Sequence, residues 1–183
     1  QYADMGRSLY DAQPVYKQSL DRCDTILRPL LSGQSILEIM FAVDGKQDLL
    51  AQLDSSTLFT QVCVFSLEYA LSELWRSWGV LPSVVMGHSL GEWVAACVAG
   101  VFELEAALNL IVIRARLMEE AAKADTTGVM VSLLGVSDAA VRAVIQQLAP
   151  TDGHVSIAGI NGRETVVISG NSAAVDIVIS QLH

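Results

Sequence analysis

Two rhythms of apolar spacing divide the chain. In the first half, periods near 3.6 dominate. Pro14 suits the first turn of a helix that runs to about Leu31 and ends near Gly33. A longer pattern covers residues 57–78: Leu58, Val62, Phe65 and Tyr69 share one face, and Leu67, Leu71, Leu74 and Trp78 an adjoining one. Apolar residues over so wide an arc predict a buried helix, with Gly79 placed to end it. The run Pro-Ser-Val-Val-Met at 82–86 predicts a short buried strand. Gly87 to Gly91 then turns the chain into a helix reaching about Ala99, and a second long helix is expected from about Glu103 to Ala124.

The second half alternates faster. Residues 129–134 predict a strand, and Ser137 is placed to cap a helix carrying Val141, Val144, Ile145 and Leu148. Residues 154–160 and 165–169 predict strands around an Asn161-Gly162 turn signal, and Asn171 is placed to cap a last helix reaching Leu182. The order is β-α-β-β-α, and a β-α-β-β-α-β unit needs one more strand. The boundary between the halves falls within 122–128, which divides the chain into 1–124 and 125–183.

Composition narrows the class. Over 183 residues, a hydrophobic fraction of 52% and a charged fraction of 17% exclude intrinsic disorder. Eleven basic against 20 acidic residues leave a net charge of −9, which argues against nucleic acid or an anionic membrane as partner. The longest apolar run, 93–102, has ten residues and is too short to span a bilayer. The chain opens on Gln1 without a signal-peptide core, which predicts a processed chain or a piece of something longer. Cys23, Cys63 and Cys97 lie far apart with no C-x-x-C pair, so neither a disulfide framework nor a metal site is expected. Buried thiols in a reducing, cytoplasmic compartment are the expectation.

The sharpest chemical signal is Gly87-His88-Ser89-Leu90-Gly91. A G-x-S-x-G turn between a strand and a helix puts the serine at a strained elbow, where its Oγ projects as a nucleophile. The backbone N–H of Leu90 then lies at a helix N-terminus, able to help hold an oxyanion. A serine nucleophile needs a base. Of the three histidines, His88 adjoins the nucleophile and is expected to pack or hydrogen-bond beneath the turn, His154 starts a strand, and His183 ends the chain. None fits the role of base.

Arg114 is the second signal. Its neighbours at three and four residues are Leu110, Ile111, Leu117 and Met118, all apolar. A guanidinium on such a face is costly unless an anion meets it, either an acidic substrate or a distant Asp or Glu. Arg116, by contrast, has Glu119 and Glu120 within reach on its own helix. Gln61 lies among apolar residues and needs partners for its amide, in a pocket or in a plain structural hydrogen bond. Trp75, Trp78 and Trp93 are expected in the core, and Glu92 as a first-turn acid favoured by the helix dipole.

The segments 87–92 (GHSLGE), 95–100 (AACVAG) and 114–118 (RARLM) together resemble the malonyl-CoA:acyl carrier protein transacylases. They are more closely similar to the acyltransferase domains of modular polyketide synthases. The resemblance extends to Gln1-Tyr-Ala-Asp-Met-Gly6, which looks like the tail of a G-Q-G-S-Q segment. It also covers Thr60-Gln61, Asn161-Gly162 and Val167-Ile-Ser-Gly170. It implies an α/β fold: a partial α/β-hydrolase-like large subdomain and an inserted ferredoxin-like small subdomain lacking its last strand.

The implied reaction is ping-pong: Ser89 takes an acyl group from CoA and passes it to the phosphopantetheine thiol of an acyl carrier protein. No cofactor or metal is implied. Acyl-CoA is the substrate, and the partners are the carrier protein and neighbouring synthase domains. Carried over by motif, Ser89 is the nucleophile and Leu90 N–H half of the oxyanion hole. Arg114 grips the extender's carboxylate, and Gln61 and His88 are the other expected substrate-binding residues. Leu90 after the serine and Thr57-Leu-Phe-Thr-Gln61 resemble the malonyl-selecting subgroup. The resemblance places the catalytic histidine beyond His183 and the second oxyanion amide before Gln1. The chain is therefore expected to be cut at both ends and inactive alone. The competing readings are a serine hydrolase or thioesterase using the same elbow, and a non-catalytic remnant.

Overall fold

Serine hydroxyls set several of the helix starts. Ser35, Ser56 and Ser137 each accept a hydrogen bond from the amide three residues on, satisfying a donor that the first turn leaves unpaired. A computed structural model of the chain describes residues 1–42, 55–124, 127–148 and 153–182. In chain order the elements are α1 (Arg7–Ala12), α2 (Pro14–Leu30), α3 (Ile36–Met40), α4 (Thr57–Ser77), α5 (Leu90–Val98), α6 (Leu104–Ala124), β1 (Gly128–Leu134), α7 (Asp138–Ile145), β2 (Val155–Gly162), β3 (Thr165–Asn171) and α8 (Ser172–Leu182). They group into two compact units, Gln1–Glu120 and Ala121–His183.

The first unit is helical around one apolar core. Tyr16, Leu20 and Leu27 of α2, Val62 and Phe65 of α4, and Leu108 and Ile111 of α6 are all fully buried. Each of the aliphatic and phenyl side chains contributes roughly 1.5–3 kcal/mol through burial. Gly79 takes φ +80 just past α4, a left-handed turn that glycine adopts without steric cost, and its amide donates to Arg76 O at 2.9 Å. Polar pairs tie the helices together. Asp24, 4% exposed, accepts from Ser35 Oγ and Ile36 N at 2.8 Å and from Arg28 Nε at 2.7 Å, so its buried carboxylate is fully used. Arg22 meets Glu105 at 2.8 Å, between α2 and α6. Glu119 of α6 accepts from Ser56 Oγ and Leu58 N at 2.9 Å each, placing a carboxylate at the start of α4 where the helix dipole favours it.

The second unit is an antiparallel sheet in the order β1-β3-β2 with α7 and α8 packed against it. Val166 and Ile168 of β3 meet Val141 of α7 and Ala174, Val175 and Val178 of α8 in a separate core.

Five local expectations are corrected. Residues 82–86 form no strand: a strand needs a ladder partner, the described part of the first unit has none, and Val84 and Met86 stand 84% and 91% exposed. Trp75 and Trp78 are not core; they are half exposed and pack edge to face on each other, 5.3 Å between ring centres. The β2–β3 turn is Arg163-Glu164, because β2 continues through Gly162, which pairs with Thr165 across an irregular register. Asn171 ends β3, and its side chain accepts from His154 N at 2.9 Å. Arg116 donates to Leu30 O at 2.6 Å, since Glu119 is committed to α4.

Candidate active site

The extended segment 80–86 delivers the chain to a backbone crossing that only glycine permits. A Cβ on Gly87 would lie 2.0 Å from both C and O of Gly91, so no side chain fits there. Two residues on, Ser89 adopts φ 53 and ψ −112, a conformation that costs a non-glycine residue about 1–3 kcal/mol and persists only where its surroundings impose it. Ser89 stands at the N-cap of α5, yet its hydroxyl makes no capping bond there. The side chain is exposed and hydrogen-bonds to no described residue, leaving Oγ available.

The turn itself is closed by Gly91 N donating to His88 O at 3.0 Å and Glu92 N to Ser89 O at 3.2 Å. The amide between them, Leu90 N–H, donates to no described backbone carbonyl. A free amide at a helix N-terminus beside an unengaged serine oxygen is an arrangement that can receive a developing oxyanion. Glu92 is the acid of the first turn.

Behind the elbow lies a cavity of 870 Å³ lined by Trp75, Val84, Met86, His88, Gly91 and Glu68. His88 is exposed rather than packed beneath the turn, and its imidazole makes no hydrogen bond among the described residues. The Glu68 carboxyl comes close to Gly91; a Cβ there would be 3.7 Å from Oε2. Burial pushes the Glu68 carboxyl above the usual carboxylate range.

A second cluster forms where α4 faces α6. Arg114 NH1 donates to Gln61 Oε1, and Gln61 Nε2 donates to Met118 Sδ at 3.3 Å. Gln61 is 6% exposed, so these bonds satisfy an amide that water scarcely reaches. Next to it, Gln1 Nε2 donates to Thr60 Oγ1 at 3.3 Å. Arg114 forms no ion pair with any described residue. The other donors of that fork remain free for an anion.

The structure thus brings Gln61 and Arg114 into direct contact and places Ser89, Leu90 and His88 together at the elbow. No hydrogen bond or ion pair among the described residues joins the two groups; α4 connects them, since it carries Gln61 and packs against α5. His154 lies exposed at the start of β2 in the other unit, and His183 falls outside the described residues. Sequence reasoning missed the Met118 and Glu68 contacts. For Met118 a signal existed, because it follows Arg114 by four residues and shares its helix face.

Cys23, Cys63 and Cys97 are free and buried, and burial pushes the first two thiols up to about 12, so they are inert. Among the described residues no His/Cys/Asp/Glu group could hold a metal ion, and no helix is long and apolar enough to cross a membrane.

The chain resembles known proteins along its whole length. The family model "Acyl transferase domain" matches residues 1–183. An orsellinic acid synthase of Armillaria mellea is 36% identical over 182 residues, covering all of this chain and 8% of that protein. The chain therefore spans less than a tenth of that relative's length. Among solved structures, the acyltransferase domain from the second module of the salinomycin polyketide synthase superposes with a TM-score of 0.83 at 37% identity, covering 100% of this chain and 39% of that one. The acyl-carrier-protein S-malonyltransferase of Burkholderia pseudomallei gives 0.81 at 30% identity, covering 99% and 54%. The mixed helical and antiparallel-sheet architecture matches these acyltransferase domains across the whole chain.

Proposed function

We propose, for a chain that belongs to the acyl transferase domain family, that it moves a malonyl-type acyl group from CoA to the phosphopantetheine thiol of an acyl carrier protein through an ester on Ser89. The observation that carries this reading is the pairing of a strained, unengaged serine with an arginine that no described carboxylate neutralises. An ordinary esterase site needs the first and has no use for the second.

In the first half-reaction, Ser89 Oγ attacks the thioester carbonyl. The oxygen that becomes negative is received by Leu90 N–H, and collapse breaks the C–S bond to release CoA as the thiol. In the second, the carrier thiol attacks the serine ester, the C–O bond breaks and the hydroxyl is restored. Proton transfers at Oγ require a base. Residues 1–120 contain one histidine, His88, adjoining the nucleophile. We assign the base to a histidine of the domain outside these 183 residues, as the share of the solved domains covered here, 39% and 54%, allows. Arg114 holds the free carboxylate of the extender and so orients the thioester toward Ser89.

A large subdomain over 1–124 and a small one over 125–183 are supported by the division into two compact units, which falls slightly earlier, between Glu120 and Ala121, and by the β-α-β-β-α order of the second. Partners are an acyl-CoA, a carrier protein and, by the likeness to synthases, adjoining domains of a larger enzyme.

The test compares malonyl-CoA with acetyl-CoA in the protein at its full natural length. Arg114→Ala is expected to cut kcat/KM for malonyl about 100-fold, the weight of two charge-assisted hydrogen bonds, while acetyl transfer holds or rises. Ser89→Ala is expected to abolish the covalent acyl adduct, seen by intact-protein mass, and to lower turnover by at least about 10³-fold. Unchanged malonyl preference in Arg114→Ala excludes the carboxylate role. Release of free malonate in place of acyl carrier protein thioester identifies a hydrolase.

A further inference from the structure

We infer that Met118 is a positioning residue whose thioether fixes the orientation of the Gln61 amide and, through it, the presentation of Arg114 to a carboxylated acyl donor; the inference rests on the reading of Arg114 given above. Gln61 has two ends of opposite polarity and is 6% exposed, so each end must find a partner inside the protein. A guanidinium offers donors alone, so Arg114 takes the carbonyl end. The amide nitrogen is left facing the next turn of α6, where it donates to Met118 Sδ at 3.3 Å and to no other described atom. Arg114 and Met118 stand four apart on α6, one turn, which lets a single helix face offer a donor and an acceptor to the two ends of one side chain.

Removing the sulfur acceptor leaves a buried N–H unpaired. Gln61 is then held at its carbonyl end alone and must shift to give its N–H another partner, so the guanidinium loses the fixed neutral acceptor that holds it without cancelling its charge. Packing alone predicts otherwise, because Met118 is 46% exposed and leucine fills nearly the same volume as methionine. The two accounts separate in the same substitution. Since Met118 acts on binding of the carboxylate and not on the chemistry at Ser89, its effect belongs in KM and only for charged donors.

The experiment uses the protein at its full natural length, with malonyl-CoA and acetyl-CoA as donors. Met118→Leu is expected to raise KM for malonyl-CoA about three- to tenfold, the net weight of one ordinary hydrogen bond, with kcat unchanged and acetyl-CoA kinetics unmoved. Met118→Gln, which restores an oxygen acceptor at similar reach, is expected to bring the malonyl KM back toward its starting value. If Met118→Leu leaves the malonyl KM unchanged, or shifts both donors equally, Met118 is packing and the inference is overturned. Arg114→Ala run alongside separates the two failures. When it destroys malonyl preference and Met118→Leu does nothing, the Met118 role alone falls. When Arg114→Ala also leaves the preference intact, the carboxylate reading is what has failed.

Discussion

Residues 1–120 and 121–183 keep the local rules of folding to different degrees. In the second unit, alternating residues build an antiparallel sheet, two helices cover its inner face, and the Ser137 cap is satisfied. In the first unit lie all the non-glycine residues with positive φ among those described, Asp4, Ser32 and Ser89. There too, among the described residues, lie the buried polar residues Asp24, Ser35, Gln61 and Ser66, and the buried Tyr16 hydroxyl. Asp24, Ser35 and Ser66 are satisfied in ways that only hold helices together. Ser89 and Gln61 belong to arrangements whose helix-holding value does not account for them. At Ser89 and Gln61 these departures coincide with the proposed site, whereas the regular sheet follows the local rules throughout.

The largest test of that contrast exchanges one glycine in each unit. Gly87→Ala puts a methyl 2.0 Å from the Gly91 carbonyl, so the elbow cannot close, and both Ser89 acylation and the thermal midpoint of the first unit are expected to collapse. Gly135→Ala, at φ +77 with no atom within 4 Å, carries backbone strain of about 1–2 kcal/mol and leaves acylation intact. Equal losses of acylation would erase the distinction between site and scaffold.

Alkaline titration gives a smaller effect. Burial pushes the Cys23 and Cys63 thiols and the Tyr16 phenol up to about 12, from ordinary values of 9.0 for the thiols and 10.0 for the phenol. An unfolded chain releases these protons first. The stability they contribute is therefore complete below about pH 9 and lost as pH rises toward 12. Residues 121–183 contain no cysteine or tyrosine, and all three tryptophans lie in the first unit. Tryptophan fluorescence should show the first unit's denaturant midpoint falling across pH 9–11, while the protection of amides in β1–β3, corrected for base-catalysed intrinsic exchange, holds steady. A parallel fall in both units would contradict the contrast.

Smallest is Glu68→Gln. Its carboxyl is raised by burial, so the cost of ionising it is absent below the ordinary carboxylate range and appears as pH climbs through the raised value. The substitution should raise the first unit's midpoint slightly at pH 7 and not at all at pH 4. A gain at both values would point to a packing effect instead.

Much of this was legible in the chain, and the exceptions have physical causes. Helices α2, α4, α5 and α6 follow from apolar spacing and from Pro14, Gly33 and Gly79, which are local signals. The elbow was legible because all its determinants lie within five residues, 87–91. The 82–86 segment carries the composition of a strand, but pairing is a property of two segments, and composition reports only one. For Arg114, spacing showed that something must meet it and not what: Gln61 is 53 residues away in sequence. Arg116 failed for the complementary reason. Its helical neighbours offered partners, but a distant carbonyl and a distant helix start claimed the two ends of that local pair.

Glu119 has a consequence for how this stretch of chain can change length. Its carboxylate holds the start of α4 through Ser56 and Leu58, while Arg114, five residues earlier on the same helix, holds Gln61. The two contacts agree in angle only for the present count of residues between them. One residue inserted or deleted in 115–118 would turn them apart by about 100° around α6. Substitutions can sample that interval freely, but insertions and deletions there are expected to be rejected unless they come in whole turns.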